Sequence, residues 1–98
     1  MPWRLTHADK NVPEPDRPIG AVWAAQYNGE SGYLVMLPGG DVWHTRQFKW
    51  DRARNCLTDQ RWAVTMPGGD PLRMTVSPSI DVKDGWHGWI KDGVISDA

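Results

Sequence analysis

Short apolar segments separated by turn sequences recur along the chain, which is the pattern of a small β protein. In the first half, AVWAAQY at Ala21–Tyr27 and YLVML at Tyr33–Leu37 predict two strands. The Asn-Gly pair in the intervening Asn28–Gly32 segment tolerates the positive φ of a hairpin turn. PGGD at Pro38–Asp41 is a tight turn that leads into DVWHT at Asp41–Thr45, so the three segments predict an antiparallel meander.

The second half contains two more predicted strands, WAVTM at Trp62–Met66 and LRMTV at Leu72–Val76. A second PGGD, at Pro67–Asp70, joins them. We interpret the repeated tetrapeptide as repeated turn chemistry and not as an internal duplication, because the flanking sequences do not otherwise match. The SPS sequence at Ser77–Ser79 is expected to break the second of these strands.

The C-terminal segment GWHGWIKDGVIS predicts a hairpin. Its first strand is Trp86–Ile90, its turn Lys91–Gly93 has glycine at the positive-φ position, and Val94–Ser96 is the return strand. Alternation along the first strand creates two faces, with Trp86, Gly88 and Ile90 on one and His87 and Trp89 on the other. A glycine in mid-strand often marks a bulge or a place where another chain or a ligand comes close.

Two segments lack a strand pattern. Residues 1–18 are rich in proline, which fixes φ and removes backbone donors, and they predict an extended N-terminal arm lying on the domain, or else a disordered leader. Residues 46–61 fit no helical face and predict a loop with one helical turn. The predicted fold is all-β: a single domain over residues 19–98, an antiparallel sheet or barrel-like fold of about seven short strands.

Charge and composition narrow the possible functions. The 98 residues include 11 basic and 12 acidic side chains, which argues against nucleic-acid binding, although a local patch of Arg46, Lys49, Arg52 and Arg54 remains open. The single cysteine, Cys56, excludes an internal disulfide and is consistent with a reducing cytoplasm. No apolar run approaches the ~18 residues of a membrane span, and the N-terminal segment has no secretory signal pattern.

The residues that could carry metal or catalytic chemistry are few. Cys56, His87 and His44 would have to converge from distant positions to hold zinc, because no local ligand pair such as C-x₂-C is present. Cys56 with His87 could form a thiolate–imidazolium pair, and Ser79 with His87 could form a serine dyad. Both arrangements need a third, orienting group, and no local signature supplies one. We therefore assign no catalytic residue and no cofactor, with zinc as the alternative.

Seven tryptophans make recognition by aromatic side chains a further hypothesis. His87 and Trp89 share a face and could form a binding platform with Trp43 or Trp50. The alternative is that these residues line the second side of a barrel-like core.

The order of several motifs resembles a family of small proteins from bacteriophages and prophages, with related domains of unknown function in bacteria. The motifs are RPIGAVW (17–23), LPGG followed by Trp (37–43), ARNC (53–56), Trp62, PSI (78–80) and WHGWI-x-x-G (86–93). Some members carry an ammonia monooxygenase label, which does not suit a chain with no spanning segment and few metal ligands. Relatives have further Cys and His residues that could complete a metal site, whereas this chain matches only Cys56 and His87.

The resemblance and the small size together imply a non-enzymatic, phage-type binding protein. Its expected partner is a host or phage protein, and its expected location is the cytoplasm of the bacterial host. Two alternatives stay open: a small metal-binding or hydrolytic domain that uses Cys56 and His87, and a structural component of the virion.

Overall fold

The computed structural model describes residues 2–98, and these form eleven β-strands without any α-helix. The strands are β1 Trp3–Arg4, β2 Thr6–His7, β3 Ala21–Tyr27, β4 Glu30–Met36, β5 Val42–His44, β6 Phe48–Asp51, β7 Cys56–Arg61, β8 Ala63–Thr65, β9 Thr75–Asp81, β10 His87–Lys91 and β11 Val94–Asp97. Three short 3₁₀ turns occupy Glu14–Asp16, Pro67–Gly69 and Pro71–Arg73. The predicted all-β class is confirmed. Within residues 2–98, no helix is long and apolar enough to cross a membrane.

The strands form three sheets. A five-stranded antiparallel sheet has the order β1-β11-β10-β9-β8, and a four-stranded sheet has the order β2-β3-β4-β5. In the four-stranded sheet only the β2–β3 pair is parallel, and β3, β4 and β5 form the predicted antiparallel meander. Among the strands of residues 2–98, β6 and β7 pair only with each other. The described residues have a radius of gyration of 12.8 Å.

The core lies where the apolar faces of the two larger sheets meet. Val22 and Val35 are cross-strand partners in the four-stranded sheet, and both are buried. Ile90 and Ile95 are the equivalent buried pair in the five-stranded sheet. Buried and exposed residues alternate along β10, because successive side chains of a strand point to opposite faces. The pairs Ala21–Val22 in β3 and Val35–Met36 in β4 are instead buried at consecutive positions. One hydrophobic cluster therefore connects both sheets.

The predicted N-terminal arm is not confirmed as a separate element, and its first residue lies outside the described residues. Strand β1 pairs with β11, and β2 pairs with β3, so the chain passes from one large sheet to the other. Leu5, between them, is 3% exposed and belongs to the core. Proline affects the backbone further along the chain. Pro13 precedes a 3₁₀ turn at Glu14–Asp16, in a segment that was predicted to be extended.

The prediction of a loop over residues 46–61 was wrong, because the segment forms the β6–β7 hairpin. The segment lacks the alternation of apolar and polar residues by which a strand is predicted. Most residues of β7 are exposed, and the pairing of β7 with β6 shifts register between Phe48 and Trp50. The turn is stabilised by the Asp51 carboxylate, which accepts hydrogen bonds from the backbone N–H groups of Ala53 and Arg54. Asn55 then takes the positive φ that closes the turn.

The predicted break at Ser77–Ser79 was also wrong. Leu72 and Arg73, the first two residues of the predicted strand, instead belong to the 3₁₀ turn Pro71–Arg73, which the Asp70 side chain caps. Strand β9 begins at Thr75 and runs on through Pro78. The strand continues because its pairing with β10 shifts register between Gly88 and Ile90. The shift leaves Ser77–Ser79 as a bulge, where the backbone donor that proline lacks is not required.

Gly88 adjoins the register shift between β9 and β10, and the ring of Trp86 lies against it. The approach of another chain or a ligand at this glycine stays a prediction. A Cβ atom at position 88 would overlap both this ring and the backbone carbonyl of Ser96. The ring is held in place by a hydrogen bond from Trp86 Nε1–H to Asp97 Oδ1 (2.8 Å). Gly88 and Asp97 are direct partners across β10 and β11, so this contact stabilises the C-terminal hairpin.

We expect Gly88→Ala to lower the free energy of unfolding by about 3 kcal/mol, because the new methyl group meets a ring and a backbone oxygen that cannot both move. Urea denaturation followed by tryptophan fluorescence measures the loss. Gly40→Ala is the control: its Cβ meets nothing within 4 Å, and only its positive φ is unfavourable, at about 1 kcal/mol. Equal losses in the two variants would contradict the packing argument.

The hydrogen bond from Trp86 lowers the pKa of Asp97 below its ordinary value, because the indole N–H stabilises the ionised carboxylate. Folding thus favours the charged form. The resulting stability is present above the unfolded-state pKa and is lost as the pH falls through the lower folded-state pKa. We expect Trp86→Phe to raise the pKa of Asp97, measured by carbon-13 NMR titration, and Trp89→Phe to leave it unchanged. An unchanged Asp97 in Trp86→Phe would refute the assigned cause.

Candidate functional site

His87 and Trp89 lie together on the outer face of the five-stranded sheet. Both belong to β10, the middle strand, and their neighbours Gly88 and Ile90 point into the core, as alternation predicted. The ring centroids of His87 and Trp89 are 6.1 Å apart, with a tilt of 38° between the ring planes. Trp89 is 45% exposed, which makes it one of two large apolar side chains exposed to this degree in residues 2–98.

The bulge in β9 positions the His87 ring. The His87 Nε2 atom lies 3.0 Å from the hydroxyl oxygen of Ser79, so the structure brings together the residues of the hypothetical serine dyad. The bulge is stabilised by the core residue Trp62, whose Nε1–H donates a hydrogen bond to the Ser79 carbonyl oxygen (3.2 Å). Within residues 2–98, no acceptor orients the other ring nitrogen of His87, which is exposed, whereas Ser79 is half-buried. The pair therefore lacks the third group that a catalytic dyad requires.

The residues opposite Trp89 on the two neighbouring strands are small. Ser96 is its direct partner on β11, and the bulge of Ser77–Ser79 faces it from β9. On β8, Ala63 and Thr65 are exposed in line with Ser77 and Thr75 of β9. Because β8, β9 and β11 carry short side chains on this face of the sheet, the rings of His87 and Trp89 project beyond them. We call His87, Trp89, Ser79 and Ser96 the β10 surface.

The other two proposed platform residues do not join this surface. Trp43 is only 1% exposed and packs edge-to-face against Trp62 in the core, with ring centroids 5.4 Å apart, so its assignment to an exposed platform was wrong. Trp43 lies in the core because burial of its large apolar ring stabilises the fold. Trp50 is half-buried on the β6–β7 hairpin, and Lys83 Nζ lies 4.6 Å from the centre of its ring.

The three proposed metal ligands occupy different environments. His44 is 2% exposed, and both of its ring nitrogens are engaged: Nε2–H donates to Ala25 O, and Nδ1 accepts from the Arg46 backbone N–H, each at 3.0 Å. His44 thus has no free lone pair for a metal. Cys56 is exposed at the start of β7, and His87 is paired with Ser79. No group of three or more His, Cys, Asp and Glu side chains in residues 2–98 is arranged to hold a metal ion.

Carboxylates neutralise part of the basic segment. Arg52 Nε lies 2.8 Å from Asp81 Oδ1 as an ion pair without hydrogen-bond alignment, and Arg52 Nη2 donates to Val82 O (2.8 Å). Arg54 Nε lies 3.7 Å from Asp51. Two of the four basic side chains once considered as a local patch are therefore paired, which weakens the case for a nucleic-acid interface there.

Sequence reasoning missed a cavity of about 210 Å³ under the β6–β7 hairpin. We call it the hairpin cavity. Its lining includes Trp43, Phe48, Trp50, Leu57, Trp62 and Val82. Because residues 46–61 were predicted to be a loop, nothing indicated that these side chains converge. The signal that could have located the hairpin is the turn chemistry of Asp51 and Asn55.

No protein-family model matches this chain, and no curated protein or solved structure matches it significantly. The resemblance to the phage and prophage family rests on the sequence motifs alone and stays a prediction.

We expect His44→Ala to lower the free energy of unfolding by about 2–4 kcal/mol, because it leaves the Ala25 carbonyl and the Arg46 N–H without partners and opens a void beside Tyr27. Cys56→Ser should change stability by less than about 0.5 kcal/mol, since the thiol is exposed. Both values come from urea denaturation. A His44→Ala variant that keeps full stability but loses a bound metal, detected by elemental mass spectrometry, would instead restore His44 as a ligand.

Proposed function

We propose that this chain is a non-enzymatic binding protein that engages a host or phage protein through the β10 surface. The exposed indole of Trp89 carries the proposal. It stands on the central strand of a five-stranded sheet, where small neighbours leave it accessible from above. Tryptophan is among the residues that contribute most at the centres of protein interfaces.

The energetics favour Trp89 as the anchor of an interface. An indole side chain can bury roughly 200 Å², and 45% of this one remains exposed. Covering the exposed part would contribute about 2 kcal/mol at about 25 cal/mol per Å² of apolar surface. The hydrogen bond between Ser79 Oγ and His87 Nε2 holds the adjacent imidazole ring, so less side-chain freedom remains to be lost on binding.

The phage setting of the proposal comes from the motif resemblance. It implies that the partner is a protein of the bacterial host or of the phage, and that the two meet in the host cytoplasm. A structural role in the virion would use the same surface between copies of this chain or against another virion protein.

The metal-binding or hydrolytic alternative has less support. His87 is paired with Ser79 and not with Cys56, and His44 has no free ring nitrogen. The Ser79–His87 pair is the one observation in favour of hydrolysis. His87 is exposed, and no acceptor within residues 2–98 orients its other ring nitrogen, so the hydrogen bond is best explained as fixing the imidazole ring.

We expect Trp89→Ala to weaken partner binding by roughly thirtyfold or more. The chain should stay folded, with an unfolding free energy lower by about 2 kcal/mol, because the covered part of the ring no longer packs on the sheet. The measurement is affinity capture from host cells with and without phage, quantified by mass spectrometry. Binding constants are then measured with the purified partner.

Thr65→Ala, on β8 of the same sheet, is the matched control and should capture the partner fully. Equal capture by Trp89→Ala would place the interface elsewhere. No specific partner for the unmodified chain, with phage or without, would refute the proposed function.

A further inference from the structure

A second cavity, a cleft of about 300 Å³, lies between the two large sheets. Its lining comes from β8, the edge strand of the five-stranded sheet, and from β4 and the residues that follow β5 in the four-stranded sheet. We call it the β4–β8 cleft. Pockets for small molecules have volumes of about 300–1,000 Å³, so this cleft has room for a ligand at the small end of that range.

One wall of the β4–β8 cleft is apolar. Trp62, Val64 and Met66 line it, and they occupy alternate positions along β8 and its flanks, so their side chains point to the same face. This face is the inward one, because Trp62 belongs to the hydrophobic cluster and the other two pack against it. Val64 and Met66 are only half-buried, so apolar surface remains for a ligand to cover.

The opposite wall carries hydroxyl groups. Ser31 and Tyr33 share a face of β4 with Val35, which is buried in the core. Thr45 lies beside them and is 6% exposed, and its Oγ1 accepts a hydrogen bond from the Tyr33 backbone N–H (3.1 Å). Within residues 2–98, the hydroxyls of Ser31, Tyr33 and Thr45 donate to no acceptor. This wall can therefore hydrogen-bond to a polar head group.

Arg46 sets the sign of the charge that the cleft accepts. It is the one charged residue in the lining, it is exposed, and it forms no ion pair within residues 2–98. Arg61, just before β8, adds no free charge, because it is paired with Glu30 at the start of β4. The lining thus has a formal charge of +1. A carboxylate suits this charge, since it can accept two parallel hydrogen bonds from one guanidinium group.

We propose that the β4–β8 cleft binds a small monocarboxylate with an apolar body. The carboxylate pairs with Arg46 and with the hydroxyls of the polar wall, and the apolar body covers Val64 and Met66. A free small molecule fits the volume better than a peptide segment does. The site lies on the inward face of β8, whereas the β10 surface is on the outer face of the same sheet, so the two proposals stand independently.

Hexanoate is the probe, and it has two matched partners. Hexanamide keeps the apolar body without the charge, and acetate keeps the charge without the apolar body. In carbon-13 methyl NMR spectra of the full chain at constant ionic strength, hexanoate should shift the signals of Val64 and Met66 in a saturable way. The methyl signals of Leu57, which does not line the cleft, should not move. Hexanamide and acetate should each bind roughly fivefold or more weakly than hexanoate.

Two variants with matched controls test the two walls. Arg46→Gln should weaken hexanoate roughly fivefold and leave hexanamide unchanged, whereas Arg73→Gln, at an exposed arginine outside the cleft, should change neither. Ser31→Phe adds a ring at an exposed position on the inward face and should block both ligands. Ala63→Phe, at an exposed position on the opposite face of β8, should leave both bound.

The proposal makes several outcomes impossible. The absence of a saturable shift at Val64 and Met66 would overturn it, as would full hexanoate binding by a folded Ser31→Phe variant. Equal binding of hexanamide and hexanoate, or full hexanoate affinity in Arg46→Gln, would overturn the assignment of a carboxylate even if Ser31→Phe fails to fold. Tighter binding of an acetylated Ala-Ala-Val peptide than of hexanoate would overturn the assignment of a free small molecule.

Discussion

The edge-to-face contact between Trp43 and Trp62 is the interaction on which the rest of the structure depends. Trp43 comes from β5 of the four-stranded sheet, and Trp62 lies between β7 and β8, where the hairpin passes into the five-stranded sheet. Their rings meet at an interplanar angle of 87°. Such a pair contributes about 0.5–1.5 kcal/mol beyond the burial of its area. In a chain of this size the core is thin, so one contact shared by three sheets has a large influence on their relative positions.

A line of contacts runs from this pair to the surface. Trp62 holds the bulge of β9 by its hydrogen bond to the Ser79 carbonyl, and the Ser79 hydroxyl in turn contacts His87. The register shift that creates the bulge lies opposite Trp89. The geometry of the β10 surface is thus set by packing on the other side of the same sheet. Trp43 and Trp62 also line the hairpin cavity.

Elements with strong local signals were predictable from the sequence. The strand Ala21–Tyr27 was predicted with the bounds it has in the structure, and the meander followed from Asn-Gly and Pro-Gly-Gly-Asp turns. The inward and outward faces of β10 were also predictable, because alternation needs only the identity of neighbouring residues. Of the candidate site, alternation recovered the shared face of His87 and Trp89 but left open whether that face is surface or core. The pairing of Ser79 with His87 was considered only as a hypothetical serine dyad.

The errors arose where a distant partner overrides the local pattern. Strand β7 is exposed and polar, and it exists because β6 pairs with it. Proline ordinarily interrupts a strand, but the bulge opposite Trp89 accommodates Pro78 within β9. Trp43 and Trp89 have equally apolar side chains, so sequence could not tell which was core and which was surface.

The sequence by itself determined the all-β class, the main turns and the alternation of faces, because these depend on the backbone preferences and side-chain periods of neighbouring residues. Only the tertiary structure decided which tryptophans are buried, that the N-terminal strands join both large sheets, and that a cavity lies beneath the β6–β7 hairpin. These features depend on which surfaces meet across long sequence separations. Burial of apolar area is non-directional, so it drives such contacts without specifying them in any short stretch of the chain.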